Sequence, residues 1–322
     1  MRCHSFYLSF VLRITMMTIA LAGCASTGTA ETKTAQAFFE RGDQFYDSGD
    51  YDKAIAEYDE AIRLDPHFSI AYANRGNAYQ NKGDFDRAFA DYDEVIRLDG
   101  ERVDPVLYYN RGVMYRYMLN YDKAIAEFDR AIQIDVDFKD AYHNRGVAYF
   151  NIGNNDRAIA DYTQAIRLEP EDARLYNIRG KAYAANKELD KAIADYDQAI
   201  RLNSDYSDTY YARGNVYTAM KDYDKAIADY SESIRLNSSF SWAYFNRGNM
   251  YYKKGDIDRA ITDYTQTIKI DPNDDWAYSA RGTSYMDIGD LASAIADFEE
   301  ACRLDPGRDD YREELEEARK KM

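Results

Sequence analysis

The chain has 322 residues, a formal net charge of −16 and only 3 cysteines, but it contains 31 tyrosines. An acidic surface repels phosphates, so nucleic acid is not expected as a partner. The cysteines at positions 3, 24 and 302 are too few for a disulfide framework and lack the paired spacing of a zinc site. Hydrophobic residues make up 46% of the chain, which is enough for a folded core.

The first 23 residues have the order of segments found in a secretory signal. Arg2 and Arg13 precede an apolar run over residues 14–22, which is too short for a spanning helix. The run ends in Leu-Ala-Gly-Cys over residues 21–24, which resembles the lipobox of bacterial lipoproteins. The resemblance implies cleavage before Cys24 and attachment of lipid, such as diacylglycerol and palmitate, to that residue. The alternative is an ordinary signal cleaved after residues 28–30, which would leave a soluble secreted protein.

Residues 24–34 are small and polar, so a flexible tether is expected between the lipid and the folded body. Ala25 follows the cysteine, a pattern that resembles lipoproteins of the outer membrane rather than the inner one. The resemblance places the protein in a bacterial cell envelope, on the periplasmic or the surface face of the outer membrane. The lipid anchor would be its sole contact with the membrane.

A period of 34 residues runs through the remaining chain. The dipeptide Arg-Gly recurs with its glycine at Gly42, Gly76, Gly112, Gly146, Gly180, Gly214, Gly248 and Gly282, with two extra residues between Gly76 and Gly112. Counting from seven residues before each glycine defines repeats one to eight, which begin at residues 35, 69, 105, 139, 173, 207, 241 and 275 and end at residue 308. Positions within a repeat are called places below.

Each repeat predicts two helices. Aromatic residues at places 4 and 11 lie on one face of a first helix, together with the glycine of place 8. An aromatic residue at place 24 and an alanine at place 20 share one face of a second helix. The turn between the helices often contains a glycine suited to a left-handed cap: Gly49, Gly83, Gly153, Gly255 and Gly289. One repeat cannot bury both faces, so neighbouring repeats must stack.

This period and pattern resemble the tetratricopeptide repeat. The resemblance implies an all-α fold, a right-handed α-solenoid of eight helix-turn-helix units over residues 35–308. Residues 309–322 are rich in charge and carry Tyr311, Leu315 and Ala318 on one side, so a helix that covers the last repeat is expected there.

Two further regularities concern contacts between the paired helices. The glycine of place 8 predicts a close approach that a methyl group would disturb. Place 7 is always arginine and place 23 is always acidic, so each arginine is predicted to pair with the acid of its own repeat. The arginines are Arg41, Arg75, Arg111, Arg145, Arg179, Arg213, Arg247 and Arg281; the acids are Glu57, Asp91, Glu127, Asp161, Asp195, Asp229, Asp263 and Asp297.

No residue pattern indicates catalysis, a metal site or a cofactor. His67 and His143 are far apart in sequence, and neither has a metal-ligand partner at helical spacing. Cys302 stands at a packing place, which favours an inert thiol. The segment from Asp271 resembles the start of a calcium loop, but Trp276 replaces its required glycine. A non-enzymatic protein is therefore expected.

The candidate binding surface is the set of places 2, 5, 6, 9, 12 and 13, which point away from the packed side of each first helix. We call it the first-helix face. In tetratricopeptide proteins it lines the concave side of a superhelix and commonly receives an extended peptide or a partner helix. Its predicted peptide-binding residues are amides and aromatics: Asn74, Asn77, Asn110, Asn144, Asn215, Asn246, Asn249, Tyr211, Trp242, Phe245, Tyr252 and Trp276.

These observations predict a lipid-anchored envelope scaffold that binds a protein or peptide without catalysis. The alternative is a structural protein that self-associates through its exposed aromatic residues. Trp242 and Trp276 stand at place 2 of successive repeats, so they could also serve only to pack helix starts against each other. The net charge predicts a partner that is not acidic overall.

Overall fold

A computed structural model of the protein describes residues 30–322, which contain seventeen α-helices and one short 3-10 helix. The predicted leader and Cys24 lie outside the described residues. The first helix begins at Ala30, so residues 30–34 are helical and the predicted tether is wrong there. No glycine or proline interrupts the sequence between residues 29 and 41, and Ala35 is buried, which lets the helix extend back beyond the first repeat.

The described residues fall into two compact units, one ending at Leu168 and the other beginning at Glu169. The first unit contains α1 (Ala30–Asp47), α2 (Tyr51–Leu64), α3 (Ser69–Asn81), α4 (Phe85–Asp99), α5 (Pro105–Tyr117), α6 (Tyr121–Ile134), α7 (Lys139–Asn151) and α8 (Asn155–Leu168), with the 3-10 helix Gly100–Arg102 between α4 and α5. The extra residues of repeat two lie in that short helix and the loop after it.

The second unit contains α9 (Ala173–Ala185), α10 (Leu189–Leu202), α11 (Ser207–Ala219), α12 (Tyr223–Leu236), α13 (Ser241–Lys253), α14 (Ile257–Ile270), α15 (Asp275–Asp287), α16 (Leu291–Leu304) and α17 (Asp309–Lys321). Within each unit every helix packs against the next one along the chain. The predicted all-α fold of paired helices is confirmed, and every first helix after α1 begins at place 1 of its repeat.

The turn inside each repeat requires a residue in the left-handed region. Five repeats use the glycine predicted from sequence, with φ between 78° and 81°. Repeats three, five and six use Leu119, Lys187 and Lys221 instead, with φ of 59°, 62° and 62°. The second helix is then capped in most repeats by a polar side chain, as where Asp222 accepts a hydrogen bond from the backbone of Lys225.

The core of each repeat is the ring at place 24, which is at most 2% exposed. These rings belong to Tyr58, Tyr92, Phe128, Tyr162, Tyr196, Tyr230, Tyr264 and Phe298. Each ring lies directly against the glycine at place 8 of the same repeat. A Cβ atom on Gly214, for example, would stand 2.7 Å from Cε1 of Tyr230. The close approach predicted from the glycine period is therefore confirmed, and the ring at place 24 is its cause.

All eight predicted ion pairs between places 7 and 23 are present. In repeat six, Arg213 donates from Nε and Nη2 to the two oxygens of Asp229 at 2.8 and 2.7 Å. The Arg213 and Asp229 side chains are 18% and 7% exposed, whereas those of Arg41 and Glu57 in repeat one are 48% and 22% exposed. The pairs after repeat one are thus largely withdrawn from water.

The same arginines also connect neighbouring repeats, which sequence reasoning did not predict. In the first unit Arg75 reaches Asp59 at 2.5 Å, and in the second Arg247 donates to the hydroxyl of Ser231 at 2.9 Å. Both acceptors stand at place 25 of the preceding repeat. The signal was present in the sequence, because place 25 is always Asp, Glu, Ser or Thr. In five repeats the tyrosines at places 4 and 11 flank the guanidinium, as Tyr210 and Tyr217 do for Arg213.

Helix α17 covers the end of the second unit. Tyr311 and Ala318 are buried, and Leu315 packs beside Phe298. Arg319 donates to Glu299, the place-25 residue of repeat eight, at 2.6 Å. This helix therefore supplies to the last repeat both the apolar cover and the arginine contact that a following repeat would provide.

Candidate functional site

At three junctions between repeats, hydrogen bonds connect place 9 of one repeat with place 6 of the next. Asn215 Oδ1 accepts from the Tyr230 hydroxyl at 2.8 Å and from Asn246 Nδ2 at 3.1 Å. Tyr92 and Asn110 bind Asn77 in the same way at 2.6 and 3.0 Å, and Tyr58 and Asn74 bind Asp43 at 2.7 and 2.9 Å. We call this arrangement the ninth-place ladder. It ties the buried ring of one repeat to the first helix of the next.

The ladder corrects part of the predicted binding site. Asn77 and Asn110 are fully buried and Asn74 is 6% exposed, so these amides hold repeats together and are not available to a peptide. The prediction failed because places 6 and 9 of successive first helices contact each other. Asn144 and Asn246 donate to tyrosines at place 5. Asn144 donates to the Tyr109 hydroxyl at 3.2 Å, and Asn246, which is also in the ladder, donates to the Tyr211 hydroxyl at 3.0 Å.

The remaining two predicted amides differ in exposure. Asn249 is half-buried and accepts from the Tyr264 hydroxyl at 2.8 Å, which places it in the ladder as well. Asn215 is exposed to solvent although its carbonyl oxygen is occupied. Asn215 is therefore the predicted amide that the fold leaves accessible.

Two of the predicted aromatic residues are exposed to solvent. Trp242 and Trp276 are 52% and 54% exposed. Trp242 meets Phe245 of its own helix edge-on, with centroids 6.2 Å apart, and the guanidinium of Arg308 lies 4.1 Å from the ring centre of Trp276. Within residues 30–322 no ring contact joins the two indoles.

Phe245, Tyr252 and Tyr211, the other predicted aromatics, are half-buried. Tyr252 donates to Asp287 at 2.6 Å. Tyr211 packs on Tyr230 and on Phe240, with ring centres 5.8 and 4.7 Å apart. Tyr211 on the first-helix face therefore packs against two other rings.

The second unit contains a cavity of about 570 Å³ on this face, between α9 and α11. The lining residues are Lys181, Ala184, Leu189, Tyr196, Asp208, Tyr211, Ala212, Asn215, Val216, Ala219 and Phe240. Seven of them belong to the places predicted to form the binding surface, and Tyr211 and Asn215 were among the predicted site residues. Lys181 and Asp208 stand at predicted places without having been singled out, and Tyr196 and Phe240 lie outside those places.

The cavity lies at a junction between repeats that lacks the ninth-place ladder. Place 9 of repeat five is Lys181, which has no acceptor, and place 6 of repeat six is Ala212, which is smaller than the asparagine found in the ladder. Tyr196 is 1% exposed and lines the cavity, yet its hydroxyl has no hydrogen-bond partner in the described part of the chain. The interruption at Ala212 was visible in the sequence, but its consequence was not.

The two charged residues at the cavity are also without ion-pair partners among residues 30–322. Lys181 and Asp208 are exposed, and neither forms an ion pair with any residue between 30 and 322. Burial raises the pKa of Tyr196 well above that of an ordinary phenol, so its hydroxyl keeps its proton at neutral pH and can donate. The cavity thus combines apolar walls with a cation, an anion and an unused donor.

Other chemistry is sparse in the described residues. No group of three or more His, Cys, Asp or Glu side chains in residues 30–322 is arranged to hold a metal ion. No helix in that range has the length and apolar character needed to span a membrane. Cys302 is half-buried, and burial raises the pKa of its thiol.

Comparison with family models matches nearly every repeat. The model described as TPR repeat matches residues 42–83, 112–153, 214–255 and 248–289. Models described as tetratricopeptide repeat match residues 69–101, 143–207, 195–228 and 276–308. Together these segments cover residues 42–101 and 112–308. No match to a curated protein was found.

Several solved structures share the fold. A repeat-containing protein from Cytophaga hutchinsonii is 20% identical, with 86% of this chain and 99% of that chain covered and a TM-score of 0.58. Pseudomonas aeruginosa PilF is 21% identical, with 66% and 97% covered and a TM-score of 0.57. YrrB, described as having an unusual peptide-binding site, is 21% identical, with 60% and 97% covered and a TM-score of 0.50.

Proposed function

We propose that this chain, which belongs to the tetratricopeptide repeat family, is a non-catalytic scaffold that binds an extended peptide or protein segment on its first-helix face. Binding of protein partners is the general role of this repeat. The cavity between α9 and α11 carries the proposal, because a concave space with aromatic walls and a few polar groups is the usual form of a recognition site. The exposed Trp242, on the first-helix face of the next repeat, extends the surface that a segment could contact.

Filling the cavity tests this function. Ala212→Asn adds a side chain inside it, whereas Ala280→Asn adds the same group at the same place of repeat eight, outside it. Wild type and both variants, as full chains, would be probed with an array of randomised 12-residue peptides. We expect Ala212→Asn to lose the peptides bound by the wild type and Ala280→Asn to retain them. Retention by both variants would exclude the cavity as the binding site.

We also propose that the scaffold is anchored in a bacterial cell envelope through a lipid on Cys24. Support comes from the Leu-Ala-Gly-Cys sequence after an apolar run, with two or more acyl chains giving stable attachment. Mass spectrometry of the amino-terminal peptide and membrane fractionation test it. Cys24→Ser should release the protein from the membrane, and Cys302→Ser should leave it bound. An unmodified peptide that starts after residue 30 would instead support the ordinary secretory signal.

Self-association is a second candidate function, favoured by the exposure of Trp242 and Trp276. Sedimentation at increasing protein concentration distinguishes it from a vacant binding surface. Self-association would be supported if the molecular mass of the wild type rises with concentration while that of Trp242→Ser stays at the monomer value. A monomer at all concentrations would leave peptide binding as the function of this surface.

A further inference from the structure

We propose that the cavity between α9 and α11 binds a side-chain carboxylate of the partner segment, held by Lys181 and Tyr196. This inference rests on the proposed function and specifies the chemistry of its ligand. It follows from the hydrogen-bond donors and charges in the cavity that no other described group of the protein uses.

Tyr196 carries the first part of the argument. At place 24 the hydroxyls of Tyr58, Tyr92, Tyr230 and Tyr264 all donate to the residue at place 9 of their own repeat. The hydroxyls of Tyr162 and Tyr196 have no such acceptor, because place 9 of their repeats is Val147 and Lys181, and of these two places it is Lys181 that brings a charged donor. The Tyr196 hydroxyl reaches solvent through the cavity, so an acceptor entering the cavity would gain a hydrogen bond that the protein alone does not make.

Lys181 supplies the charge. Its ammonium group has three donors and no acceptor, and it forms no ion pair with any described residue. A carboxylate can accept from the ammonium and from the phenol at once, since its two oxygens offer several acceptor positions. Such charge-assisted hydrogen bonds are stronger than neutral ones, and Leu189, Val216 and Phe240 offer an apolar surface beside them.

The negative charges of the protein limit how much negative charge the rest of the partner segment can carry. Asp208 lines the same cavity and would repel a second acidic group or a doubly charged phosphate. The net charge of −16 repels an acidic partner at long range. We therefore expect one glutamate or aspartate in a segment that is otherwise neutral or basic, with a basic neighbour of that acid placed near Asp208.

The test begins with the randomised 12-residue peptide array and the full chain. Wild-type protein should select peptides with Glu or Asp at one position. A selected peptide and its Glu→Gln or Asp→Asn counterpart would then be titrated calorimetrically against wild type, Lys181→Met and Tyr196→Phe. Lys253→Met is the matched control, because Lys253 is an exposed first-helix lysine outside the cavity. Tyr196→Phe should fold normally, since Phe128 and Phe298 occupy the same place in other repeats.

Neutralising the acid of the peptide should weaken binding to the wild type about tenfold or more. Lys181→Met should bind the acidic peptide about as weakly and should no longer distinguish it from the neutral one. Tyr196→Phe should lose a smaller part of the preference, and Lys253→Met none.

Two other results would count against the inference in different ways. Peptides bound without an acidic preference, or with a preference unchanged in Lys181→Met, would overturn the carboxylate site and leave the scaffold function standing. An array with no peptide bound by the wild type would overturn both proposals.

Discussion

Tyr230 donates its hydroxyl hydrogen to Oδ1 of Asn215 at 2.8 Å, and so joins the two helices of repeat six at the edge of the core. The same oxygen accepts from Asn246 in repeat seven at 3.1 Å. One amide therefore satisfies a buried phenol and links two repeats. Where Lys181 and Ala212 replace the two amides, the link is missing and a cavity is present.

The first prediction compares two phenylalanine substitutions. Tyr230→Phe removes a hydroxyl that bonds to Asn215, so the free energy of unfolding should fall by about 1 kcal/mol. Tyr196→Phe removes a hydroxyl without a partner and should leave that free energy nearly unchanged. Urea denaturation followed by circular dichroism measures both. Equal losses in the two variants would show that Tyr196 has a partner in the free protein.

The second prediction concerns the ion pairs. Asp263→Asn leaves Arg247, whose side chain is 19% exposed, without its carboxylate, and should reduce the free energy of unfolding by about 3 kcal/mol. Glu57→Gln is the control, since its partner Arg41 is 48% exposed and the loss should stay below about 1 kcal/mol. Hydrogen exchange should also become faster in α13 and α14 of Asp263→Asn. Similar small losses in both variants would mean that these pairs behave as solvated surface contacts.

The third prediction concerns the glycine at place 8. In Gly214→Ala the added methyl group would stand 2.7 Å from Cε1 and 2.9 Å from Cδ1 of Tyr230, so ring or helix must shift. We expect a loss of about 1–3 kcal/mol in the free energy of unfolding. Combining Gly214→Ala with Tyr230→Leu should cost less than the sum of the single changes, because the smaller side chain makes room. Strict additivity would indicate that the two residues do not contact each other.

The fourth prediction is a loss of stability at alkaline pH. Burial, as the main cause, raises the pKa of Tyr230 from 10.0 to about 12, while the unfolded chain has an ordinary phenol. The unfolded state therefore releases its proton first, and the free energy of unfolding falls as pH rises from about 10 to about 12. Below about pH 10 this contribution is fully present. The pKa values of Tyr92, Tyr162, Tyr196 and Tyr264 are raised in the same direction, which steepens the effect.

Tyrosinate absorbance and circular dichroism, recorded over the same pH range, test this prediction. The absorbance of the buried tyrosines should appear only together with loss of helical signal. Ionisation of all tyrosines before any helix is lost would show that the rings at place 24 are accessible to hydroxide in the folded protein.

The sequence by itself determined the repeat. The 34-residue period, the aromatic at place 24 and the glycine at place 8 predicted paired helices and their close contact, and the paired Arg and acid at places 7 and 23 predicted an ion pair in every repeat. These features succeed because both partners lie within one repeat. Local helical geometry then fixes which side chains share a face.

Only the tertiary structure decided what the first-helix face does. Asn77 and Asn110 stand at places that the sequence predicts to be exposed for binding. In the structure, contact between successive first helices buries them. Conversely, Lys181 of repeat five and Asp208 of repeat six have no sequence signal in common, yet they line one cavity. Contacts between repeats depend on the size and hydrogen-bonding capacity of both neighbours together, and this is why a periodic pattern read one repeat at a time could not reveal them.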